Sequence, residues 1–558
     1  MKRYQSDVLV VGGGGAGLMA AYSASKHDVK VALVNKGKVQ RTGVTIMAPG
    51  AIAAVDDRWK KEGDSKPLHL QDTIQGGGYL NDQDMVHVMV EQSPELVLEL
   101  ERMGALFQRE PDKHYSLRID GGHSFHRCPF LEDRTGKEMV KAMNSAVVKR
   151  NVAVYEDIMI TRLLTEEGRI SGAAGICMDT LEPVLFESPS IILATGGGGA
   201  IYANTDNSID MTGDGFALAL EAGARLRDME FVQFYPIGLL YPPALKGMLG
   251  GLCYYLHLLN AKGERFMEKY DPERLELSTR DRVSRAIMQE VKEGRGTPRG
   301  GVYMDLTFNE PGFIAKMTPA LYATYRNIGI DPEKDMVEIA PTVHFFMGGM
   351  DVNDRWESSV TGLYGAGEVC GGMHGGNRLS QNALAEILVS GSVSGDSAAR
   401  YAEKAKRPHI DPAETAREAA CIEALLNSSS GLQPHQIKAK IKEIMWEKVG
   451  VSRNEALLKE ALEQIEALAA ETVWLRDKST ICNHGIVEAL ELKGMLMTAR
   501  SVILSALERK ESRSAHFRED YPQTDNEHYL KNVLLALQDG VLQTSERDVA
   551  LNHYREVR

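Results

Sequence analysis

The stretch DVLVVGGGGAGLMAAYSASKHDVKVALVN, residues 7–35, contains the pattern that decides the fold. A short apolar run precedes four glycines, a helix-like segment follows them, and a second apolar run ends at Asn35. Gly12, Gly14 and Gly17 have the spacing G-x-G-x-x-G, which lets the backbone approach a pyrophosphate at the N-terminus of a helix. The stretch therefore predicts a strand–helix–strand unit that binds a dinucleotide.

The end of the second strand distinguishes between dinucleotides. NAD-binding units usually carry an acidic residue there, about 20 residues after the glycines, to bind a ribose. This chain reads Val34-Asn35-Lys36 at that point. The glycine pattern also occurs only once, so two separate dinucleotide-binding folds are not expected. Both observations favour FAD alone over a nicotinamide cofactor.

Further strand and helix signals follow along the chain. The apolar segment SIILATGGGG, residues 190–199, ends in four glycines, and GLYGAGEV, residues 362–369, repeats this strand-to-turn pattern. From about residue 410 the apolar residues recur at three- and four-residue spacing, as in ALLKEALEQIEALAAETVWLR, which is typical of amphipathic helices. The sequence therefore predicts an α/β region followed by a helical domain.

The composition argues against several classes of protein. Lys and Arg total 64 and Asp and Glu total 77, a net charge of -13, and no basic block indicates a nucleic-acid partner. No segment approaches the roughly 20 apolar residues of a membrane-spanning helix, and no signal-peptide pattern precedes the first strand. The six cysteines are scattered without a C-x-x-C pair, so no metal site or iron–sulfur cluster is expected. We expect a cytoplasmic protein that reaches a membrane complex only through other subunits.

Several motifs occur in a fixed order along nearly the whole chain. They are GGGGAG (12–17), DRTG (133–136), ATGGGG (194–199), TGDGFALALEAGA (212–224), NAKGERF (260–266), STRDRVSRAI (278–287), PTVHFFMGGM (341–350), TGLYGAGE (361–368), HGGNRLSQNAL (374–384) and ESRSAH (511–516). In content and order they resemble the flavoprotein subunit of the succinate dehydrogenase and fumarate reductase family. That family also includes L-aspartate oxidase and the adenylylsulfate reductase alpha subunit.

The resemblance implies an α/β fold with three parts: a Rossmann-like FAD-binding domain, an inserted capping domain and a helical C-terminal domain. Mapped onto this chain, the FAD-binding domain comprises residues 1–236 and 343–408, and the capping domain comprises residues 237–342. Residues 409–520 form the helical domain, and residues 521–558 form a C-terminal extension. The helical periodicity after residue 410 agrees with this division.

The resemblance also implies noncovalent FAD. Where membrane-bound relatives attach FAD to a histidine in an RSHT-like stretch, this chain reads Arg41-Thr42-Gly43-Val44-Thr45. Covalent attachment raises the flavin potential in that family, so its loss favours reduction or a different substrate over succinate oxidation. The expected FAD contacts are Gly12, Gly14, Gly15, Ala16, Gly17, Asn35, Lys36, Thr42, Gly43, Ala48, Gly50, Thr195, Gly196, Gly197, Asp214, Glu368, Arg378 and Asn382.

Three residues match catalytic positions of the family. Arg280 in STRDRVS matches the arginine that donates a proton to the substrate. His344 in PTVHFFMGG and Arg378 in HGGNRL match the pair that holds one substrate carboxylate, which a planar guanidinium can bind through two hydrogen bonds. Without the resemblance, Arg280 would more often form a salt bridge, and His344 would more often be a core histidine.

The chain departs from the family where a second carboxylate would bind. The family's QFHPTG reads QFYPIG at residues 233–238, and MLGGLCYYL replaces TEGCRGEGG, which supplies carboxylate donors and a proton-relay arginine. A carboxylate buried there without donors would be strongly disfavoured. The departures predict a substrate with one carboxylate and an apolar or aromatic end, although this run could instead be capping-domain core. The expected pocket residues are Tyr235, Ile237, Met248, Leu249, Tyr254 and Tyr255.

The sequence thus predicts an FAD-dependent oxidoreductase that transfers hydride between flavin N5 and a carbon–carbon bond next to a carboxylate. Its small carboxylate substrate would be a 2-enoate that is not a dicarboxylate. A separate iron–sulfur subunit is the expected electron partner, as is usual in the family. Fumarate or succinate itself, adenylylsulfate reduction and a non-enzymatic FAD electron carrier remain alternatives. The proton source for Arg280 stays open, because the matching relay residues are absent from the sequence.

Overall fold

The computed structural model describes residues 2–119, 121–251 and 256–557. A five-stranded parallel sheet lies at the centre of the largest domain. In spatial order its strands are Leu363–Gly365, Ser190–Leu193, Val8–Val11, Val31–Val34 and Ala153–Tyr155. Because the strands run in one direction, their carboxyl ends meet at one edge, which is where sheets of this kind bind ligands.

The predicted strand–helix–strand unit is present as Val8–Val11, Gly15–Ala24 and Val31–Val34. Both strands are fully buried, which explains their unbroken apolar sequence, because a parallel strand is covered on both faces. Gly12 has a φ of 116°, and a Cβ atom there would lie 2.2 Å from the carbonyl oxygen of Ala194. Only glycine fits this turn, so the backbone itself requires the first residue of the motif.

Helices and a second sheet surround the parallel sheet. The helices are Lys66–Gly76, Gln83–Met103, Thr135–Lys149, Asp214–Glu221 and Asn382–Ala402. The second sheet contains Lys2–Gln5, Pro183–Glu187, Arg169–Cys177 and Ile158–Glu166, and a short ladder pairs Leu117–Arg118 with Cys128–Pro129. The long helix 382–402 packs on helix 15–24 at Gly391 and Gly395, where added Cβ atoms would lie 2.6 Å and 2.5 Å from backbone oxygens. This close packing joins the two separated segments of the domain.

The inserted domain is an antiparallel sheet with helices and its own core. Its strands are Val232–Leu239, Val337–Phe346, Val302–Asp305 and His257–Leu259, and its helices are Met267–Tyr270, Arg280–Lys292, Phe313–Met317 and Pro319–Asn327. Ile237, Leu258 and Met304 are among its fully buried core residues. The boundaries that we predict at 236/237 and 342/343 fall inside the first two strands, which pair with each other. The two domains are therefore joined by a continuous β-ladder.

The chain after residue 410 is helical, as its periodicity predicts. The helices are Ala416–Asn427, Pro434–Lys448, Glu455–Ala469 and His484–Glu508. The C-terminal extension forms a hairpin, Lys531–Gln538 and Val541–Asp548, in a mixed sheet with Leu226–Arg227, Gly349–Asp351 and Cys370–Gly371. The extension thus packs back onto the largest domain. Among the described residues, no helix combines the length and apolar character needed to cross a membrane.

A network of buried charges joins the last helix to the strand that enters the inserted domain. Arg509, which is fully buried, donates from Nε to Oε1 of Glu230 at 2.5 Å and from Nη1 to Oε1 of Glu511 at 3.0 Å. Arg453 donates to the backbone oxygen of Glu230 at 2.7 Å and bonds Nδ1 of His516 at 2.9 Å. Burial raises the pKa of Glu230 to about 7, against the opposing effect of Arg509. The ESRSAH motif therefore serves to anchor the helical domain.

Replacing Arg509 with methionine should destabilise the protein by about 3 to 5 kcal/mol, because Glu230 would stay buried without its guanidinium. Denaturant unfolding of the FAD-loaded protein measures this loss. Arg400→Met is the matched control, because Arg400 is 66% exposed and pairs with a partly exposed carboxylate, Asp396. An Arg509 variant as stable as the Arg400 variant would contradict a structural role for the network.

Candidate active site

A cavity of about 1130 Å³ lies at the carboxyl edge of the parallel sheet and extends to the inserted domain. The glycine loop after Val8–Val11 and the end of Val31–Val34 line one part of it. Tyr235, Leu249 and Arg280 line the part next to the inserted domain. The predicted cofactor site and the predicted substrate site are therefore connected in one space.

Most of the predicted cofactor contacts lie on the cavity wall. The wall includes Gly12, Gly14, Gly15, Ala16, Asn35, Lys36, Thr42, Gly43, Ala48, Gly50, Thr195, Gly196, Asp214, Glu368 and Arg378. These residues come from segments that are far apart in the sequence, and the parallel sheet brings them to one edge. Sequence motifs alone could name them, but only the fold explains their proximity.

Three predicted cofactor contacts do not lie on the described wall of the cavity: Gly17, Gly197 and Asn382. A Cβ atom at Gly17 would lie 1.9 Å from a backbone oxygen of the glycine loop, and one at Gly197 would lie 2.4 Å from Oε1 of Glu368. Asn382 instead hydrogen-bonds two side chains of helix Lys66–Gly76 at 2.9 Å each. The two glycines allow close packing behind the wall, and the asparagine joins two helices.

Asn35 occupies the position where NAD-binding folds place a ribose-binding acid, and it fixes the glycine loop instead. Its Oδ1 accepts a hydrogen bond from the backbone N–H of Gly13 at 2.8 Å, and its Nδ2 donates to Oγ1 of Thr42 at 3.1 Å. At Gly14 the nearest atom to an added Cβ is Oγ1 of Thr45, at 4.0 Å. The loop therefore leaves room at the N-terminus of helix Gly15–Ala24, which fits a pyrophosphate.

Lys36 forms a buried ion cluster at the same end of the cavity. Its Nζ donates to Oδ2 of Asp214 at 2.8 Å and to Oε1 of Glu491 at 2.9 Å. Burial lowers the pKa of Lys36, but the two carboxylates outweigh burial and hold the pKa above its usual value. Because Glu491 belongs to helix His484–Glu508, the helical domain takes part in shaping the cofactor site. No sequence motif indicates this contribution.

Glu368 lines the cavity. Its Oε1 accepts a hydrogen bond from the backbone N–H of Phe346 at 2.9 Å. Burial raises the pKa of Glu368 to about 8, with a smaller opposing effect from that hydrogen bond. The carboxyl therefore keeps its proton at neutral pH and can donate a hydrogen bond to a cofactor hydroxyl.

Gln233 brings the two predicted catalytic arginines together. Its Oε1 accepts from Nη2 of Arg378 at 3.0 Å and from Nη1 of Arg280 at 3.3 Å. Its Nε2 donates to Oδ1 of Asn377 at 2.6 Å, and the residue is 1% exposed. Nη2 of Arg280 also donates to Oγ of Ser380 at 2.8 Å. Sequence reasoning missed Gln233, although it is the first residue of the QFYPIG stretch.

His344 lies beside the arginines on the cavity wall. Its Nδ1 is 2.6 Å from Oδ2 of Asp206, a residue that sequence reasoning did not select. The ring of Tyr235 lies 5.5 Å from the imidazole and 4.8 Å from the guanidinium of Arg280. The structure therefore gathers the three predicted catalytic residues around one point of the cavity.

Part of the cavity wall is apolar, where the sequence predicts a substrate end. Tyr235, Met248 and Leu249 line it, and the hydroxyl of Tyr235 donates to the backbone oxygen of Gly251 at 3.0 Å. Ile237 is 0% exposed and belongs to the core of the inserted domain rather than to the wall. The β-ladder is irregular between Tyr235 and Gly238, so the side-chain alternation that would place Ile237 on the wall is broken. Tyr254 and Tyr255, two further predicted pocket residues, lie outside the described residues.

The inserted domain also contributes wall residues that the sequence did not indicate. They are Lys316, Met317, Thr318, Pro319, Ala320, Leu321 and Thr324. The carboxylate of Asp133, in the DRTG motif, accepts a hydrogen bond from the backbone N–H of Ala320 at 2.9 Å. This contact joins the first turn of helix Pro319–Asn327 to the largest domain across the cavity.

Two known families together match most of the chain. The family described as FAD binding domain matches residues 7–384, and the one described as Fumarate reductase flavoprotein C-term matches residues 438–557. A protein of Methanothermobacter marburgensis, named as a component of the fumarate reductase (CoM/CoB), is 40% identical over 545 residues. These residues cover 95% of this chain and 97% of that protein.

This chain belongs to the fumarate reductase and succinate dehydrogenase flavoprotein family. A mutant FrdA of the E. coli quinol fumarate reductase has a TM-score of 0.92 at 31% identity, covering 98% of this chain and 97% of its own. Sdh1 of Mycobacterium smegmatis has a TM-score of 0.91 at 35% identity, covering 99% of this chain and 95% of its own. These matches confirm the predicted fold class.

Membership of this family establishes an FAD-dependent oxidoreductase acting on carbon–carbon bonds. The open glycine loop, the hydrogen-bonding Glu368 and the size of the cavity all fit FAD. Gly43, which the resemblance aligns with the flavin-attachment histidine of membrane-bound members, has a φ of 86° and no side chain. Noncovalent binding of FAD stays a prediction.

Replacing Gln233 with leucine should weaken carboxylate binding by about tenfold to a hundredfold, because two guanidinium groups lose a shared acceptor. Titration of the FAD-loaded protein with a saturated carboxylate, followed by flavin absorbance, measures the affinity. Gln289→Leu, a change on helix Arg280–Lys292 away from the described cavity wall, is the control. Equal affinities in the two variants would show that Gln233 does not organise the arginines.

Proposed function

We propose that this flavoprotein reduces a carbon–carbon double bond next to a carboxylate, using FAD as the hydride donor. The observation that carries the proposal is the convergence of Arg280, Arg378 and His344 around Gln233 and Tyr235. When bound, FAD supplies the hydride and takes up the electrons that replace it. The side chains of the protein bind the substrate, orient it and deliver one proton.

Arg378 and His344 are the proposed ligands of the substrate carboxylate. Arg378 is 6% exposed, and its guanidinium lies 4.7 Å from the ring of Phe345, which limits its movement. A guanidinium held in one plane can bind a carboxylate through two parallel hydrogen bonds. Charge builds on this carboxylate as hydride adds to the double bond, so these groups stabilise the transition state more than the substrate.

Arg280 is the proposed proton donor. Hydride from the flavin adds to one carbon of the double bond, and a proton from a guanidinium nitrogen adds to the other, which leaves a saturated product. An isolated guanidinium holds its proton too strongly for this role. In this site the like charge of Arg378, which shares Gln233 with Arg280, disfavours a second full charge and makes proton release easier.

The apolar wall supports a substrate whose other end carries no charge. Met248, Leu249 and the ring of Tyr235 line the cavity, and they belong to the stretches that replace the family's motifs for binding a second carboxylate. The hydroxyl of Tyr235 already donates to Gly251. A carboxylate against these groups would lose its hydration without gaining hydrogen bonds. We therefore propose a monocarboxylic 2-enoate with an apolar or aromatic end.

Fumarate is the second candidate substrate. The observation that favours it is the name of the 40% identical relative, which refers to a fumarate reductase. In that case the second carboxylate would have to be held by wall residues of the inserted domain such as Thr318 or Lys316. For either substrate, we propose that an iron–sulfur subunit supplies the electrons, since several relatives are themselves named flavoprotein subunits.

Anaerobic reoxidation of the reduced holoprotein should distinguish the two substrates. We expect cinnamate or crotonate to reoxidise the flavin at least about tenfold faster than fumarate, because the apolar wall disfavours a second carboxylate. Absorbance of the flavin follows the reaction. Faster reoxidation by fumarate would contradict the proposed monocarboxylate substrate, but it would still agree with reduction of a carbon–carbon double bond next to a carboxylate.

The same assay separates catalysis from cofactor binding. Arg280→Lys should keep its FAD and lose reoxidation by about 10² to 10⁴-fold, as expected for a lost general acid. Arg282→Lys is the matched control on the same helix, because Arg282 is 51% exposed and pairs with Asp271 at 3.3 Å. Failure of every enoate and of adenylylsulfate to reoxidise the flavin would favour an electron carrier over an enzyme.

A further inference from the structure

We infer that Asp206 is a positioning residue that holds His344 with its Nε2 directed at the substrate carboxylate. Asp206 belongs to the NTDNSID segment, which none of the recognised motifs includes. The inference rests on the proposed function, because it assigns Asp206 a part in binding the carboxylate of the substrate. It adds one feature to that function, which is that the protein takes up a proton when the substrate binds.

Hydrogen bonds hold both the side chain and the backbone of Asp206. Its Oδ2 lies 2.6 Å from Nδ1 of His344, and its side chain is 8% exposed. Its Oδ1 accepts from Nδ2 of Asn207 at 3.0 Å, and its backbone N–H donates to the oxygen of Val343 at 3.2 Å. Nδ2 of Asn207 also donates to the backbone oxygen of His344 at 3.0 Å. The carboxylate and the imidazole are thus held together by backbone and side chain alike.

This pairing determines which nitrogen of His344 carries the hydrogen. An ionised carboxylate only accepts hydrogen bonds, so Nδ1 must be the protonated nitrogen. In the described part of the chain Nε2 of His344 makes no hydrogen bond, and the residue lines the cavity. When the imidazole is neutral, Nε2 therefore presents a lone pair to the substrate site.

The charges around the imidazole set its protonation state. Burial lowers the pKa of His344, and Arg378 and Arg280 lower it further, whereas Asp206 raises it by charge and by hydrogen bonding. The carboxyl of Glu368 also interacts with Asp206, and Tyr235 supplies the adjoining ring. The net effect is a pKa below the ordinary value, so the imidazole is neutral at neutral pH before substrate binds.

A substrate carboxylate can accept a hydrogen bond from Nε2 only if that nitrogen gains a proton. Binding therefore takes up one proton from solvent, and the imidazolium then lies between two carboxylates, that of Asp206 and that of the substrate. This arrangement makes binding weaker as pH rises above the pKa of His344 in the free protein, and the loss levels off above the higher pKa of His344 in the complex. Asp206 raises the pKa of His344 in the free protein, so it extends tight binding to higher pH.

The first test is the pH dependence of KM in the FAD-loaded protein, measured between about pH 4.5 and 8.5 because the pKa of His344 in the free protein lies below its ordinary value. In Asp206→Asn the rise of KM should begin at least about one pH unit lower, because the negative charge beside the imidazole is gone. At about pH 8 we expect KM to be about tenfold higher and kcat at saturation to change less than about threefold. A change in kcat alone, or an unshifted pH profile, would overturn the inference.

Two further variants separate positioning from a general structural effect. In a His344→Gln background, Asp206→Asn should add nothing to KM, since the residue on which it acts has been removed. Asp210→Asn removes another cavity-lining carboxylate from the same segment and should leave the pH profile unshifted. Fully additive effects of Asp206→Asn and His344→Gln on KM would contradict a specific role for Asp206. A shift of the pH profile in Asp210→Asn equal to that in Asp206→Asn would contradict it as well.

The nitrogen spectrum of His344 tests the pairing without any substrate. The chain has 15 histidines, and comparison of ¹⁵N-histidine-labelled protein with its His344→Gln variant assigns the signals of His344. We expect the signals of a protonated Nδ1 and an unprotonated Nε2, and we expect both signals to shift in Asp206→Asn. The opposite tautomer would overturn the inference. If the expected tautomer is found but no carboxylate substrate is turned over, the pairing stands and the proposed function fails.

Discussion

Two guanidinium groups, one buried and one partly buried, share one carboxamide oxygen, and this constraint organises the rest of the site. Arg280 comes from the inserted domain and Arg378 from the second segment of the FAD-binding domain, and both donate to Oε1 of Gln233. Like charges in a site of low dielectric repel each other, and a neutral acceptor relieves this only in part. This pair of positive charges supports the proposal that the site binds an anion such as a substrate carboxylate.

The β-ladder between Val232–Leu239 and Val337–Phe346 explains why these groups meet. The first strand carries Gln233 and Tyr235, and the second carries His344, so the pocket floor is formed by strands that cross from one domain to the other. Asp206 then fixes His344 through its Nδ1, and Asp133 joins the inserted domain to the FAD-binding domain. Several of the residues proposed to bind substrate are thus carried by one pair of strands that both domains share.

Much of the fold could be predicted from local patterns. The glycine motif is decisive because the backbone at Gly12 admits no Cβ atom, and the helical periodicity after residue 410 reflects real amphipathic helices. The family motifs likewise led to Arg280, His344 and Arg378, which the structure gathers. Each of these features depends on residues that are close in sequence or on a motif with a fixed spacing.

The remaining features depend on contacts that no local pattern encodes. Gln233 meets Arg378 across 145 positions, and Asp206 meets His344 across 138. Lys36 pairs with Glu491 in the helical domain, across 455 positions. Ile237 was assigned to the pocket from its place in the QFYPIG stretch, but an irregularity in the ladder turns it into the core. Side-chain partners of this kind follow from the tertiary fold, so a single sequence does not reveal them.

The role of Gln233, Arg280 and Arg378 in substrate binding is tested most directly by a crystal structure of the FAD-loaded protein with 3-phenylpropanoate, an unreactive saturated monocarboxylate. We predict that its carboxylate lies between Arg378 and His344, with the guanidinium of Arg280 next to the adjoining carbon atoms and the phenyl ring against Met248 and Leu249. A ligand bound in the reverse direction, or a carboxylate held by the inserted-domain wall at Thr318, would contradict it. Either result would mean that the arginines paired through Gln233 do not form the binding site for the substrate carboxylate.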